Sequence, residues 1–147
     1  MSTLKKLSAA LAVGALTASL SAVTTGPALA SGGSCGSGYN FLSSYPLKYY
    51  DRVGGALSLY YNPSNGKNCA ITRAKAEWDG KASHIYVALS DGDRRIARDP
   101  ALDSSANYRY YAGPVYLYLK GQCAYLWGGL SYGGNKYLAN VGGVHCG

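Results

Sequence analysis

Residues 108–129 read YRYYAGPVYLYLKGQCAYLWGG, a run dense in tyrosine with Trp127 near its end. Val115, Leu117 and Leu119 alternate with Tyr116, Tyr118 and Lys120. After Gly121-Gln122, Cys123, Tyr125 and Trp127 alternate with Ala124, Leu126 and Gly128. A period of two on both sides of a Gly-X pair predicts two strands, and the pair itself predicts a two-residue hairpin turn. In that register Tyr118 faces Tyr125 and Tyr116 faces Trp127 on one side, while Leu117 faces Leu126 and Leu119 faces Ala124 on the other. The reading separates an aliphatic face for the core from an aromatic face made by Tyr116, Tyr118, Tyr125 and Trp127. That aromatic face is the candidate binding surface, because Tyr and Trp offer rigid, amphipathic contact area. It needs a cover, from the fold itself or from a ligand.

Working outward, the pattern repeats. A strand is expected over residues 39–47, bent near Pro46, and a second over 56–61. The turn cluster PSNGKN at 63–68 follows, centred on Asn-Gly. Strands over 69–78 and 81–90 flank Asp79-Gly80, which predicts another hairpin with Thr72 opposite Val87 and Ala74 opposite Ile85. His84 falls on the solvated side of that hairpin, beside Lys75. Residues 91–107 mix Asp91, Asp93, Asp99 and Asp103 with Arg94, Arg95 and Arg98. They read as a charged surface loop with a short strand near 95–97. Pro114 cannot donate to a ladder and belongs at a strand start or a bulge. The tail is glycine-rich, with one last strand near 136–140.

No helix of ordinary length is readable after residue 30. Five to eight short antiparallel strands punctuated by turns predict an all-β fold, a small disulfide-stapled β-sandwich or barrel.

Residues 1–30 carry the three parts of a secretory signal peptide. These are Lys5-Lys6, an Ala/Leu-rich stretch and Ala28-Leu29-Ala30 as an A-x-A cleavage site. The apolar stretch is too short and too polar for a membrane span. One mature domain, residues 31–147, is expected. Lys5 and Lys6 leave with the leader, so fourteen basic side chains become twelve against seven acidic ones, a formal charge of +5. This modest basicity suits solubility or contact with anionic surface polymers. No nucleic-acid-binding motif accompanies it.

Cys35, Cys69, Cys123 and Cys146 in an exported chain predict two disulfides. Of three possible pairings, Cys35 with Cys69 and Cys123 with Cys146 is preferred, since it closes each half of the chain on itself. The four are too scattered in sequence for zinc-ligand spacing. Asp91-Gly92-Asp93-Arg94-Arg95 places arginine where a calcium loop needs its third oxygen ligand. No metal, cofactor or catalytic residues are therefore assigned. Glu77 is the only glutamate, which removes a glutamate pair for glycoside hydrolysis. No G-x-S-x-G elbow or phosphate-binding glycine loop occurs.

Several short pieces, in order, resemble the spore-associated protein A family of actinomycete bacteria. They are Cys35-Gly36-Ser37-Gly38-Tyr39, Ser44-Tyr45-Pro46-Leu47, Tyr60-Tyr61-Asn62, Asn68-Cys69, Tyr110-Tyr111-Ala112-Gly113-Pro114-Val115, Trp127-Gly128-Gly129 and His145-Cys146-Gly147. The resemblance implies export and association with spores or aerial structures, and no known reaction. A secreted, non-enzymatic protein of the spore or cell envelope is therefore expected, retained by surface polymers or by self-association. The alternative is a module that binds a wall or chitin-like glycan, or a protein target such as a protease, through the aromatic face.

Overall fold

The computed structural model describes residues 33–147. The signal peptide expected at residues 1–30 lies outside the described residues. Eight strands follow one another: β1 (Asn40–Tyr49), β2 (Arg52–Asn62), β3 (Lys67–Ala74), β4 (Ser83–Ser90), β5 (Ile96–Asp99), β6 (Tyr111–Tyr118), β7 (Ala124–Tyr132) and β8 (Asn135–Val144). They form one antiparallel sheet in the order β5-β4-β7-β8-β1-β2-β3-β6, curled until its two edge strands lie against each other. The result is a nearly closed barrel, one of the two all-β architectures expected.

Alternation decides what fills it. Leu57 and Leu59 on β2, Ala70, Thr72 and Ala74 on β3, Ile85, Val87 and Leu89 on β4, and Ala124, Leu126 and Leu130 on β7 all point inward and are buried. Small and large side chains interdigitate, so the interior is packed and not a channel. One end is plugged by Trp78, which stacks on Tyr132 with ring centroids 4.0 Å apart and meets Tyr137 edge-on at 4.9 Å. Lys75 covers the Trp78 ring from 4.2 Å.

Three tight connections set the register. Tyr50-Asp51 joins β1 to β2, and Gly133-Gly134 joins β7 to β8. Residues 63–66 join β2 to β3, as the Asn-Gly cluster predicted, with the Asn62 and Asn65 side chains accepting from the Ser64 and Lys67 N–H groups. The other two expected hairpins are overturned. β6 pairs with β3, and β7 pairs with β4 and β8, so Gly121-Gln122 turns the chain without pairing its flanks. Likewise β3 pairs with β2 and β6, and a single 3-10 turn at Ala76–Trp78 carries the chain away before β4 begins. Both linkers join strands that are not neighbours in the sheet. The inward and outward faces expected for those strands hold all the same, because they depend on the period and not on the partner.

The seam between β5 and β6 is closed by side chains. Gly113-Pro114 forms a bulge opposite Ile71, as Pro114 required, and the backbone there adopts φ +93° at Gly113, a conformation side-chain-bearing residues rarely take. The bulge frees the Gly113 N–H to donate across the seam to Asp99 Oδ2 at 2.6 Å. Asp99 Oδ1 accepts from the Tyr108 hydroxyl at 2.8 Å, and this bond, aided by burial, holds the Tyr108 phenol above its ordinary pKa. At the other end Arg95 donates to the Tyr118 carbonyl at 3.1 Å and to the Gln122 side chain. Asp91 orients Arg95 through a 2.7 Å ion pair and accepts from the N–H groups of Asp93, Arg94 and Arg95. The stretch expected to be a plain charged loop thus supplies the latches of the barrel.

Both disulfides form in the preferred pairing, Cys35–Cys69 and Cys123–Cys146. The first pins residues 33–39 as a strap over the outside of β2, β3 and β6. Beneath it Cys69 and Ile71, which alternate outward on β3, are nonetheless buried together with Cys35, packed against Tyr39, Tyr60 and Tyr111. Alternation with the inward Thr72 puts Ile71 on the same outer side as Lys75, which would leave it to solvent, and the strap explains why it is buried. The second bridge ties the chain end to the β6–β7 turn.

Candidate binding groove

The four aromatic residues expected to share a face do not converge. Tyr116 and Tyr118 lie on β6, while Tyr125 and Trp127 lie on β7, with β5 and β4 between them around the barrel. Tyr116 belongs to the strapped side. Its ring meets Tyr39 at 5.4 Å and its hydroxyl donates to the Cys35 carbonyl at 3.1 Å. Burial, then the neighbouring Tyr39, raises its phenol pKa. Tyr118 is exposed and flanks Gly66, and Tyr125 lies across Gly92 and Gly142. Trp127 lines a groove.

That groove lies on the outer face of β5, β4 and β7. Outward residues there pair across the strands: Arg98 with Ala88 and Ala88 with Trp127, then Tyr86 with Gly129 and Gly129 with Leu138. The small residue in the middle of the first row, Ala88, leaves a trough between larger walls, whereas Gly129 in the second is covered. A Cβ on Gly129 would stand 2.6 Å from the Tyr86 ring and 2.8 Å from Leu138, so both side chains close over this glycine. Burial pushes the Tyr86 phenol above its ordinary pKa, so it faces the groove as a neutral hydroxyl.

Residues 100–107 form the roof. Its leading end is held by Asp99, which bonds Tyr108, and its trailing end by Asn107, whose side-chain oxygen accepts from the His84 N–H at 2.8 Å. His84 can offer that N–H because β4 carries a bulge at His84-Ile85, where His84 adopts φ +50°. It is exposed, as expected, but it stands at the rim of the groove and bonds Ser83 Oγ at 3.1 Å instead of neighbouring Lys75 on a paired strand. Between roof and trough the space is about 630 Å³, lined chiefly by Ile96, Pro100, Ala101, Leu102 and Trp127, with Arg98 at its edge. This is within the size range of small-molecule sites. Leu102 at the roof tip is 84% exposed and Ile96 48%.

Of the residues that line this groove, the sequence reading singles out Trp127 and not Tyr86, Ile96, Arg98 or Leu102. Tyr86 stood on a strand face read as solvated, and the others sat in the charged loop. One available signal was the apolar Pro100-Ala101-Leu102 triplet inside an otherwise polar stretch.

No family model and no solved structure matches the chain. Among curated proteins, Spore-associated protein A of Streptomyces coelicolor is 34% identical over 143 residues, covering 92% of this chain and 84% of the relative. The chain belongs to the spore-associated protein A family. Coverage that broad cannot be confined to one motif or one half of the barrel, so family membership concerns the domain as a whole. Among the described residues no group of three or more His, Cys, Asp or Glu side chains is placed to hold a metal ion. No helix there is long and apolar enough to cross a membrane.

Proposed function

We propose that this member of the spore-associated protein A family is a secreted protein of the spore or cell envelope that works by binding and carries out no reaction. The observation that carries the reading is the relative named for its association with spores, alike over 92% of this chain. Two further features support it. The leader-like residues 1–30 fit export, and two disulfides suit an oxidising compartment better than the cytosol. The roofed groove at Trp127 is the place on the barrel best shaped to take a ligand.

Fractionation tests the location. In the producing organism, washed spores and cell walls are expected to retain the protein, in oxidised form on non-reducing gels. Recovery from the culture medium alone, with none on washed spores or walls, would overturn the reading.

A further inference from the structure

We infer that the groove beneath residues 100–107 is a site for an anionic amphiphile, its acyl chain lying in the trough and its carboxylate on Arg98. The inference rests on reading the groove as a binding site and is independent of where the protein resides. The lining decides the chemistry. Ile96, Pro100, Leu102 and the Ala88 floor make the lining mainly aliphatic, and its polar side chains are those of His84, Tyr86, Arg98 and Ser104. A sugar ring laid against the aliphatic part would leave hydroxyls unpartnered there, a cost that a methylene chain does not carry.

Two observations say what completes the site. Leu102 and Ile96 both line the groove and hold large apolar side chains to solvent, which a chain seated against them would cover. Arg98 is the one permanently charged side chain lining the groove, and it makes no hydrogen bond or ion pair among the described residues. The nearest carboxylate in sequence, Asp99, is occupied by Tyr108 and Gly113 on the seam. An unpaired guanidinium at the mouth of an aliphatic trough complements an anionic head joined to an apolar tail.

The test uses 9,10-dibromostearate below its micelle concentration, whose bromines quench tryptophan on contact. The protein's two tryptophans separate the site from the rest, since Trp127 lines the groove while Trp78 is stacked on Tyr132 outside it. Saturable quenching is expected in the oxidised protein and is expected to vanish in Trp127→Phe, leaving the Trp78 emission untouched. Arg98→Gln, an exposed change that leaves the core intact, should weaken the acid by about fivefold and leave the methyl ester of the same acid unchanged. Lys136→Gln should change neither, which separates a head-group site from general attraction to a basic protein. Absence of saturable quenching, equal quenching in Trp127→Phe, or an ester bound as tightly as the acid would overturn the proposal. Trp127-dependent retention on insoluble peptidoglycan or chitin with no quenching by the acid would also overturn it, in favour of a glycan. Quenching by the acid, present or absent, does not bear on spore retention, so the two readings fail separately.

Discussion

The outside of the barrel has two faces that carry large apolar side chains, and they are finished differently. Over β2, β3 and β6 the chain lays residues 33–39 as a strap, so that Cys69 and Ile71 are buried although they point away from the barrel interior. Over β5, β4 and β7 the covering loop stands off, leaving a groove of about 630 Å³ with Leu102 and Ile96 exposed at its opening. The strap is pinned covalently by Cys35–Cys69, whereas the roof hangs on hydrogen bonds through Asp99 and Asn107. A face that exists for stability can be closed for good. A face that must admit something is better closed by bonds that can be remade.

The largest effect should therefore follow from releasing the strap. Replacing Cys35 and Cys69 together by serine opens a 34-residue separation and uncovers Ile71, at an expected cost of about 2 to 5 kcal/mol in denaturant unfolding. Tyr116 loses its cover at the same time, and its phenol should titrate closer to the ordinary tyrosine value. A cost below about 1 kcal/mol would mean that the strap is held by packing alone, and the contrast between the faces would lose its covalent half.

A smaller effect belongs to the seam that supports the groove side. The Arg95 guanidinium, followed by the Asp93 N–H and the neighbouring backbone N–H groups, holds the Asp91 carboxyl well below the usual carboxylate range. A lowered folded-state pKa means that the Asp91 carboxylate stabilises the fold fully above its unfolded pKa, near 4. That contribution declines as pH falls toward the depressed folded value. Asp91→Asn keeps an acceptor for the three N–H groups but releases Arg95 from its ion pair. The variant should melt below the parent at pH 7, with the difference shrinking between pH 4 and strong acid. A difference that grows on acidification would assign the seam to some other group.

How much of this could be read in advance follows from which physical rule each feature obeys. The division of Val115, Leu117 and Leu119 from Tyr116 and Tyr118 needs only the period of two, which the local chain carries. Which strand lies beside which is a property of the closed sheet. Gly121-Gln122 and Asp79-Gly80 have good turn chemistry, yet each links strands that pair elsewhere. The last strand was legible near 136–140, but not its full extent nor the Gly133-Gly134 hairpin, because Asn135–Val144 holds so few large residues, although its inward Tyr137 is 3% exposed. The disulfide pairing was legible through chain closure. The groove was not, because its walls come from three strands and a loop that only barrel closure brings together. Kinship was legible in short ordered pieces, and the 34% identical relative agrees.

The smallest effect on stability should come from the groove's own roof, and for that reason it says most about the groove. Leu102 is 84% exposed, so Leu102→Ser removes almost no buried surface and should shift unfolding by less than about 0.5 kcal/mol. A residue that contributes so little to the fold is free to serve a ligand. The same substitution should weaken the quenching of Trp127 by dibromostearate several-fold, because the serine withdraws one wall from the acyl chain. If instead Leu102→Ser destabilised the protein by more than about 1 kcal/mol, the roof would be packed in solution more tightly than its exposure implies. The two faces would then differ only in how their covers are attached, and the groove would be as closed as the face beneath the strap.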